Sequence, residues 1–294
     1  MSVQTILVLG LQISIFLTVL SLGMRASFSD IGHLFGRPGQ LIKSLVSMFL
    51  IMPVFAILAV LIFNLNPVIR VVLIALSLSP IPPLFPKKAL KSGGETPFTF
   101  GLLAAVTLLS IVIIPLAFSM LDAIVGRDIQ FSQSFIIKTL ATALLLPMAI
   151  GMAFRHWAPV FTERVADILA KIAGILLVLS FLPMLIVILP IAWSLTGQST
   201  LLVLILFAVV GAAAGYFLGA PNPKERTVLA LATASRHPGI AIALAGANVD
   251  ETLKQTVAAA VILYVIISAI VVAPFLKWLS GDQAPQKTVS GRAA

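Results

Sequence analysis

An arginine stands in the middle of a long apolar stretch of this sequence. Arg236 and His237 occur in the run Ala232-Thr233-Ala234-Ser235-Arg236-His237-Pro238-Gly239, and residues 228–234 and 240–247 are almost entirely apolar. An arginine at the centre of a bilayer costs about 2.5 to 17 kcal/mol, so its charge must be compensated or must face a cavity. Arg236 could bind the carboxylate or sulfonate of a solute with its planar fork. It could instead act as a fixed cation against exposed carbonyl dipoles, or snorkel to the membrane surface.

His237 follows directly and has two interpretations. It could carry a proton through a transport cycle, since imidazole titrates near neutral pH. It could instead stay neutral and donate a hydrogen bond to a carbonyl that the interrupted helix leaves free. We regard the neutral role as the simpler one, because the charge of Arg236 disfavours a second cation next to it.

A second apolar stretch is interrupted by prolines, in the run Leu78-Ser79-Pro80-Ile81-Pro82-Pro83-Leu84-Phe85-Pro86-Lys87-Lys88. Proline lacks an amide donor, and lipid cannot satisfy the backbone groups that a proline run frees. Two interrupted spans in corresponding positions of two halves indicate the binding site of a membrane transporter. The residues expected to shape the interruptions are Pro80, Pro82, Pro83, Pro86, Pro238 and Gly239.

Further polar residues surround the first interruption. Lys87 and Lys88 open the helix that follows it, and Ser79 and Thr99 supply hydroxyls nearby. The two lysines could snorkel toward the cytoplasm or line the interruption as cations. We predict that all four belong to a solute site or supply charge to it, together with Arg236.

Composition predicts an all-α, polytopic membrane protein. Of the 294 residues, 60% are hydrophobic and only 10% are charged, against about 25% charged in soluble domains, and the mean hydropathy is +1.14. Spans of about 20 residues give nine transmembrane helices, at roughly 3–22, 40–63, 67–92, 97–121, 133–154, 168–193, 200–219, 225–247 and 255–279. The interrupted spans are the third and the eighth, so they enter the membrane in opposite directions and predict an inverted repeat.

The basic residues predict the orientation. With the N-terminus outside, the cytoplasmic side carries Arg25, Arg37, Lys43, Lys87, Lys88, Lys91, Arg155, Arg164, Lys171, Lys224, Arg226, Lys277, Lys287 and Arg292. The outer side carries only Arg70, Arg127, Lys138 and Lys254. Lysine and arginine accumulate in cytoplasmic loops, which also explains the net charge of +9 without nucleic-acid binding. The C-terminus is therefore predicted to be cytoplasmic.

Four groups of motifs resemble the bile acid:sodium symporter family in its nine-span form. They are Ser21-Leu22-Gly23-Met24 with the stretch to Arg37-Pro38, Ile51-Met52-Pro53, Ser79-Pro80 with Lys91-Ser92-Gly93-Gly94-Glu95, and Gly239-Ile240-Ala241-Ile242-Ala243-Leu244. The resemblance implies a core domain whose two broken helices cross, rocking against a panel domain. Its segments would be 1–39 (panel helix 1 and a cytoplasmic loop), 40–122 (core repeat one), 123–199 (panel helices 5 and 6), 200–279 (core repeat two) and 280–294 (polar cytoplasmic tail).

The positions that the resemblance assigns to sodium ligands differ here. They are occupied by Met48, Phe85, Pro86, Leu103, Ala232, Arg236 and His237, and only Thr99 keeps a ligand-like side chain. Sodium is a hard cation and, by analogy with calcium and magnesium, prefers oxygen ligands. We therefore expect neither sodium site to persist. Arg236 would supply a charge in place of sodium, and Met48, Phe85 and Leu103 would line an apolar solute cavity.

The sequence thus predicts a sodium-independent secondary transporter of carboxylated or amphipathic organic anions, working by alternating access in a plasma or bacterial inner membrane. The alternatives are a proton-coupled symporter that uses His237 and a non-transporting membrane sensor or scaffold. An enzyme is not expected, because the three histidines are scattered and no span holds two carboxylates. The expected partners are a small organic anion and the lipid bilayer. No cofactor, metal ion or nucleic acid is expected, and the oligomeric state is open.

Overall fold

Helices make up nearly all of residues 3–125 and 133–282, the parts of the chain that this computed structural model describes. In chain order they are α1 (Val3–Arg25), α2 (Phe28–Phe35), α3 (Pro38–Val46), α4 (Met52–Ile62), α5 (Pro67–Leu78), α6 (Phe85–Lys91), α7 (Thr96–Val125), α8 (Gln133–Leu140), α9 (Leu146–Trp157), α10 (Pro159–Ser194), α11 (Gln198–Leu218), α12 (Pro223–Ala234), α13 (Pro238–Gly246) and α14 (Lys254–Asp282). No strand occurs in these ranges, which confirms the all-α prediction for them. The predicted cytoplasmic tail, residues 280–294, lies almost wholly outside the described ranges.

Eight helices of the described chain are long and apolar enough to cross a membrane. They are Ile6–Arg25, Pro38–Ile62, Thr96–Met120, Ile137–Trp157, Pro159–Ser194, Ser199–Leu218, Pro223–Gly246 and Glu251–Lys277. The remaining predicted span, 67–92, forms α5 and α6, and the apolar α5 is too short to cross alone. Eight of the nine predicted spans therefore correspond to helices of the structure. The other span, which would consist of α5 and α6 together across their interruption, remains a prediction.

Both predicted interruptions are present. Residues 79–84 separate α5 from α6, and residues 235–237 separate α12 from α13. At 1.5 Å per residue, α12 and α13 are about 18 and 14 Å long, so the second interruption lies near the middle of a hydrocarbon core about 30 Å thick.

Capping chemistry explains where these half-helices begin. Asn66 and Asn222 accept from the amides of Val68 and Lys224, and a proline follows each asparagine as the first residue of its helix. Proline is tolerated there because the first amides of a helix have no partner within the helix. In the same way, His237 caps α13 and Pro238 is the first residue of that helix.

Two wide π-helical turns were not predicted. Ser47–Ile51 joins α3 to α4 and Ala141–Leu145 joins α8 to α9. Each ends just before a proline at the second position of the next helix, Pro53 and Pro147. A proline ring clashes with the carbonyl four residues earlier, and a π turn shifts that carbonyl out of its way.

The helices pack in two groups. Helix α1 packs along α9 and α10. The interrupted pairs lie in the other group, where α13 packs on α5 and α14, and α11 packs along α12. Helix α10 contacts α14 and so joins the groups. Helices α1, α9 and α10 belong to segments predicted as panel, and the interrupted pairs belong to segments predicted as core. The division into these two domains, and their movement against each other, remains a proposal.

The predicted orientation has a direct test. Reporter fusions placed after Ser280 and at Gly197, between α10 and α11, are expected to report the cytoplasm and the opposite side respectively. Fourteen basic residues on one side against four on the other give this expectation. Two fusions that report the same side would show that the span count is wrong by an odd number.

Candidate site at the two helix interruptions

The two interruptions contact each other directly. The backbone amide of His237 donates to the carbonyl of Pro80 at 2.9 Å. The Nη1 of Arg236 donates to the carbonyl of Ser79 at 3.2 Å. Both acceptors lie just beyond the end of α5, where no following turn of helix uses them. Residues 157 positions apart in the sequence thus satisfy each other's free backbone groups inside the protein.

Arg236 also reaches a third element. Its Nη2 donates to the carbonyl of Met48 at 3.0 Å, in the π turn before α4. Only 2% of the residue is exposed, and its Nε has no hydrogen-bond partner. None of the ion pairs in the described residues includes Arg236. Its charge is therefore met by two backbone carbonyl dipoles, which makes it a cationic bridge between α4, α5 and α13.

Two further contacts hold the second interruption, and sequence reasoning missed both. The Tyr264 hydroxyl of α14 donates to the carbonyl of Ala234 at 2.6 Å, and the hydroxyls of Ser47 and Thr233 lie 2.9 Å apart. Tyr264 carried a usable signal, since it is one of only two tyrosines and lies in an apolar span. A buried tyrosine hydroxyl usually has a partner. Ser47 and Thr233 gave no such signal among the many hydroxyl residues of the chain.

The His237 ring caps α13. Its Nδ1 accepts from the amide of Ile240 at 3.3 Å, so in the neutral ring the proton is on Nε2. Nε2 is buried without a partner in the described structure. The carbonyl of Pro80 is reached by the backbone amide of His237, whereas the ring accepts at Nδ1, so donation from the neutral ring to a free carbonyl stays a prediction.

The remaining positions that the resemblance linked to sodium converge in space. Met48, Phe85, Leu103 and Ala232 belong to one buried apolar cluster, which also contains Ile81 and Phe98. Met48, Phe85 and Ala232 are at most 1% exposed. These side chains offer no oxygen to a cation, and Arg236 already uses the carbonyl of Met48. The residues present therefore do not fit a sodium ion at this place.

A cavity of about 1030 Å³ lies beside the first interruption. Lys87 and Phe100 line it from α6 and α7, and Arg25, Asp167 and Lys171 line it from α1 and α10. These charged residues belong to the end of the molecule that the basic residues predict to be cytoplasmic. We call it the inner cavity.

A second cavity, of about 780 Å³, lies on the other side of the interruptions. His237 and Gly239 line it, together with Gln12 of α1 and Thr142 of the second π turn. Most of its other lining residues are apolar, so we call it the outer cavity and regard it as a largely apolar space with a histidine at its inner end.

The other predicted site residues divide by position. Thr99 of α7 and Ser79 at the end of α5 are buried, and their hydroxyls donate to the nearby carbonyls of Glu95 and Leu76. Lys88 is exposed and lines neither cavity. Of the proline set, Pro83 and Pro86 line the inner cavity. Sequence reasoning missed Asp167, and it used Arg25 and Lys171 only as charges that predict the orientation.

Met48, Phe85 and Leu103, expected to line an apolar solute cavity, pack in one buried cluster across α6, α7 and the first π turn. Met48 and Phe85 do not line the inner or the outer cavity, and Leu103 borders a void of about 10 Å³. A solute cavity around these three residues therefore remains a prediction.

Comparison with known proteins agrees with the resemblance of the motifs. The model of the sodium bile acid symporter family matches residues 12–195, more than half of the chain, and includes the first interruption. No curated protein matches the chain. Eight helices able to cross a membrane are consistent with a multi-pass transporter family. On the strength of this match, the chain belongs to the sodium bile acid symporter family.

Proposed function

We propose that this protein is a sodium-independent secondary transporter of organic anions that works by alternating access. Membership of the family supports a membrane transporter. The finer points, which are the absence of sodium coupling and the class of solute, are supported by the chemistry around the interruptions.

One observation carries the proposal. Arg236 bridges the carbonyls of Met48 and Ser79 beside an apolar cluster that includes four residues at positions that the resemblance assigns to sodium ligands. A cation fixed in the chain can orient the exposed carbonyl dipoles as a bound ion would. Because this charge is covalently attached, it cannot leave with each transport cycle. An ion gradient then has nothing to couple to at this place, so uniport or exchange is the simplest mechanism.

The inner cavity supports an anionic solute. Three basic residues and one acidic residue line it, and most of its other lining residues are apolar. Ligand sites are typically concave and largely apolar, with a few charged groups that fix orientation. An amphipathic anion matches both features: its apolar part faces Leu22, Phe100 and Leu179, and its charge faces the basic residues.

Proton coupling through His237 has less support. The lone pair of Nδ1 already accepts the Ile240 amide, so protonation there would break the cap of α13. The other ring nitrogen, Nε2, cannot take up a transported proton, because it already holds the proton of the neutral ring. A non-transporting sensor of the same fold would keep a solute site, and only a transport assay separates it from our proposal.

Uptake is expected to be independent of sodium. In proteoliposomes loaded with a carboxylated solute for exchange, replacing sodium by potassium or choline should leave the initial rate unchanged, because the side chains of Met48, Phe85, Leu103 and Ala232 offer sodium no oxygen ligands. An imposed proton gradient should not drive accumulation either. A steep, saturable sodium requirement would refute the proposal, and binding without any uptake would favour the sensor.

A further inference from the structure

The charges that line the inner cavity are not all free. Arg25 of α1 forms an ion pair with Asp167 of α10, so these two largely neutralise each other on one wall. Lys87 and Lys171 line the same cavity and form no ion pair in the described part of the chain. Two positive charges therefore remain without a protein counter-charge in one cavity.

The two lysines come from opposite sides of it. Lys87 is the third residue of α6, directly after the first interruption. Lys171 lies in α10, which packs along α1. A solute that engages both lysines would span the space between the two helix groups. The cavity volume of about 1030 Å³ is at the upper end of the roughly 300–1,000 Å³ of small-molecule sites, so a solute with a sizeable apolar body fits.

We propose that the inner cavity selects amphipathic dianions, with one anionic group bound by Lys87 and the other by Lys171. This inference rests on the proposed function and names the class of solute for it. Both lysines are exposed and line the cavity, and a monoanion can pair with only one of them, whereas a dianion can pair with both. Because the proposed transporter binds no sodium, the positive charges of Lys87 and Lys171 neutralise the negative charges of the solute.

The proposal predicts a preference that binding can measure. Purified protein in nanodiscs is titrated with naphthoate and with naphthalene dicarboxylates, which share one rigid apolar body and differ in charge. We expect at least one dicarboxylate to bind about tenfold more tightly than naphthoate, equivalent to about 1.4 kcal/mol. The same order of preference is expected in exchange assays in proteoliposomes.

Variants connect that preference to the two lysines. Lys87→Gln and Lys171→Gln should each weaken dicarboxylate binding by about tenfold and affect naphthoate less, because a monoanion can use the lysine that remains. Lys87→Arg and Lys171→Arg keep the charge and should keep the preference. Lys91→Gln is the matched control: it removes a lysine from the same helix, exposed and outside the cavity lining, and should change neither affinity.

The possible results distinguish a failure of the dianion inference from a failure of the proposed function. Naphthoate binding at least as tightly as every dicarboxylate would overturn the dianion inference and leave anion transport standing. Equal losses from Lys87→Gln and Lys91→Gln would also overturn it, because the effect would then be a general surface charge. If none of these anions binds or is exchanged, the proposed function fails together with the inference.

Discussion

Replacing Arg236 by glutamine is expected to lower the melting temperature by roughly 10 °C and to abolish transport. The arginine makes two hydrogen bonds to buried carbonyls, at 3.2 and 3.0 Å, and hydrogen bonds to charged groups contribute about 1.5–3 kcal/mol each. The shorter glutamine cannot reach both carbonyls. The two buried carbonyls left unpaired add about 1–3 kcal/mol each to the loss, and removal of an intramembrane charge offsets part of it. We therefore expect a net cost of about 3–5 kcal/mol, at about 2–4 °C per kcal/mol.

Transport should fail in the same variant because Arg236 joins three elements. It connects α13 to the end of α5 and to the π turn before α4. An alternating-access cycle needs the helices around the interruptions to move together. Without the bridge, the carbonyls of Met48 and Ser79 would lose their partner in a buried place, which is itself costly.

The measurement is thermal unfolding and anion binding on the same purified proteins. Arg236→Lys keeps the charge and should recover much of the stability, although an ammonium lacks the planar fork that serves two acceptors at once. Lys91→Gln removes an exposed lysine from α6 and should leave the melting temperature unchanged. If Arg236→Gln weakened anion binding while stability stayed constant or rose, Arg236 would be a solute ligand, and the cationic bridge would be wrong.

The interruptions could be predicted from sequence because their causes are local. Proline removes amide donors at Pro80, Pro82 and Pro83, and a proline after a capping residue begins α5, α12 and α13, as at Asn222 and Pro223. Such signals lie within a few residues and need no knowledge of the partner. The burial of Arg236 was also predictable, because its apolar flanks leave few other positions for it.

The partners of Arg236 could not be predicted in the same way. Its acceptors are the backbone carbonyls of Met48 and Ser79, and a carbonyl looks the same at every residue. The carbonyl of Met48 belongs to a π turn, a geometry with weak sequence rules. Sequence could identify the charge that needs a partner, whereas only the packed structure shows which carbonyls supply it.

Neighbouring lysines illustrate a second limit. Lys87 lines the inner cavity whereas Lys88 does not, although sequence reasoning assigned the same role to both. Consecutive residues of a helix point about 100° apart, so one of two adjacent lysines can face a cavity while the other faces away. Choosing between them requires the rotation of α6, which is set by its packing on α7 and α12.

The second large effect is expected at Gly215, which supports the second interrupted helix. Gly211 and Gly215 of α11 and Gly219 directly after it recur every four residues and face α12, the close helix packing that small residues permit in membranes. A Cβ added at Gly215 would lie 2.3 Å from the carbonyl oxygen of Leu229 and 2.5 Å from the Cα of Ala230. These are backbone atoms, so no side chain can rotate to make room.

Gly215→Leu is therefore expected to force α11 away from α12 and to cost about 3 kcal/mol or more, at the upper end of overpacking penalties. Melting temperature and the yield of monodisperse protein measure this effect. Gly174→Leu is the matched control, since Gly174 lies within the long α10 and an added Cβ meets no heavy atom within 4 Å. That variant should be neutral or slightly stabilising, because glycine is about 1 kcal/mol worse than alanine in a helix.

Gly211→Ala is a milder substitution, and it tests the packing of α11 against the end of α12 next to the second interruption. Its added Cβ would lie 3.1 Å from the Cα of Ala234 and from the carbonyl oxygen of Thr233, a contact that a small shift can relieve. We expect a decrease in melting temperature between those of Gly174→Leu and Gly215→Leu. Solute exchange should also be impaired, because Ala234 accepts the hydrogen bond from Tyr264. Equal melting temperatures for Gly215→Leu and Gly174→Leu would show that α11 does not hold α12 in place, and the support of the second interruption would then have to come from α14, α6, α7 and the first π turn.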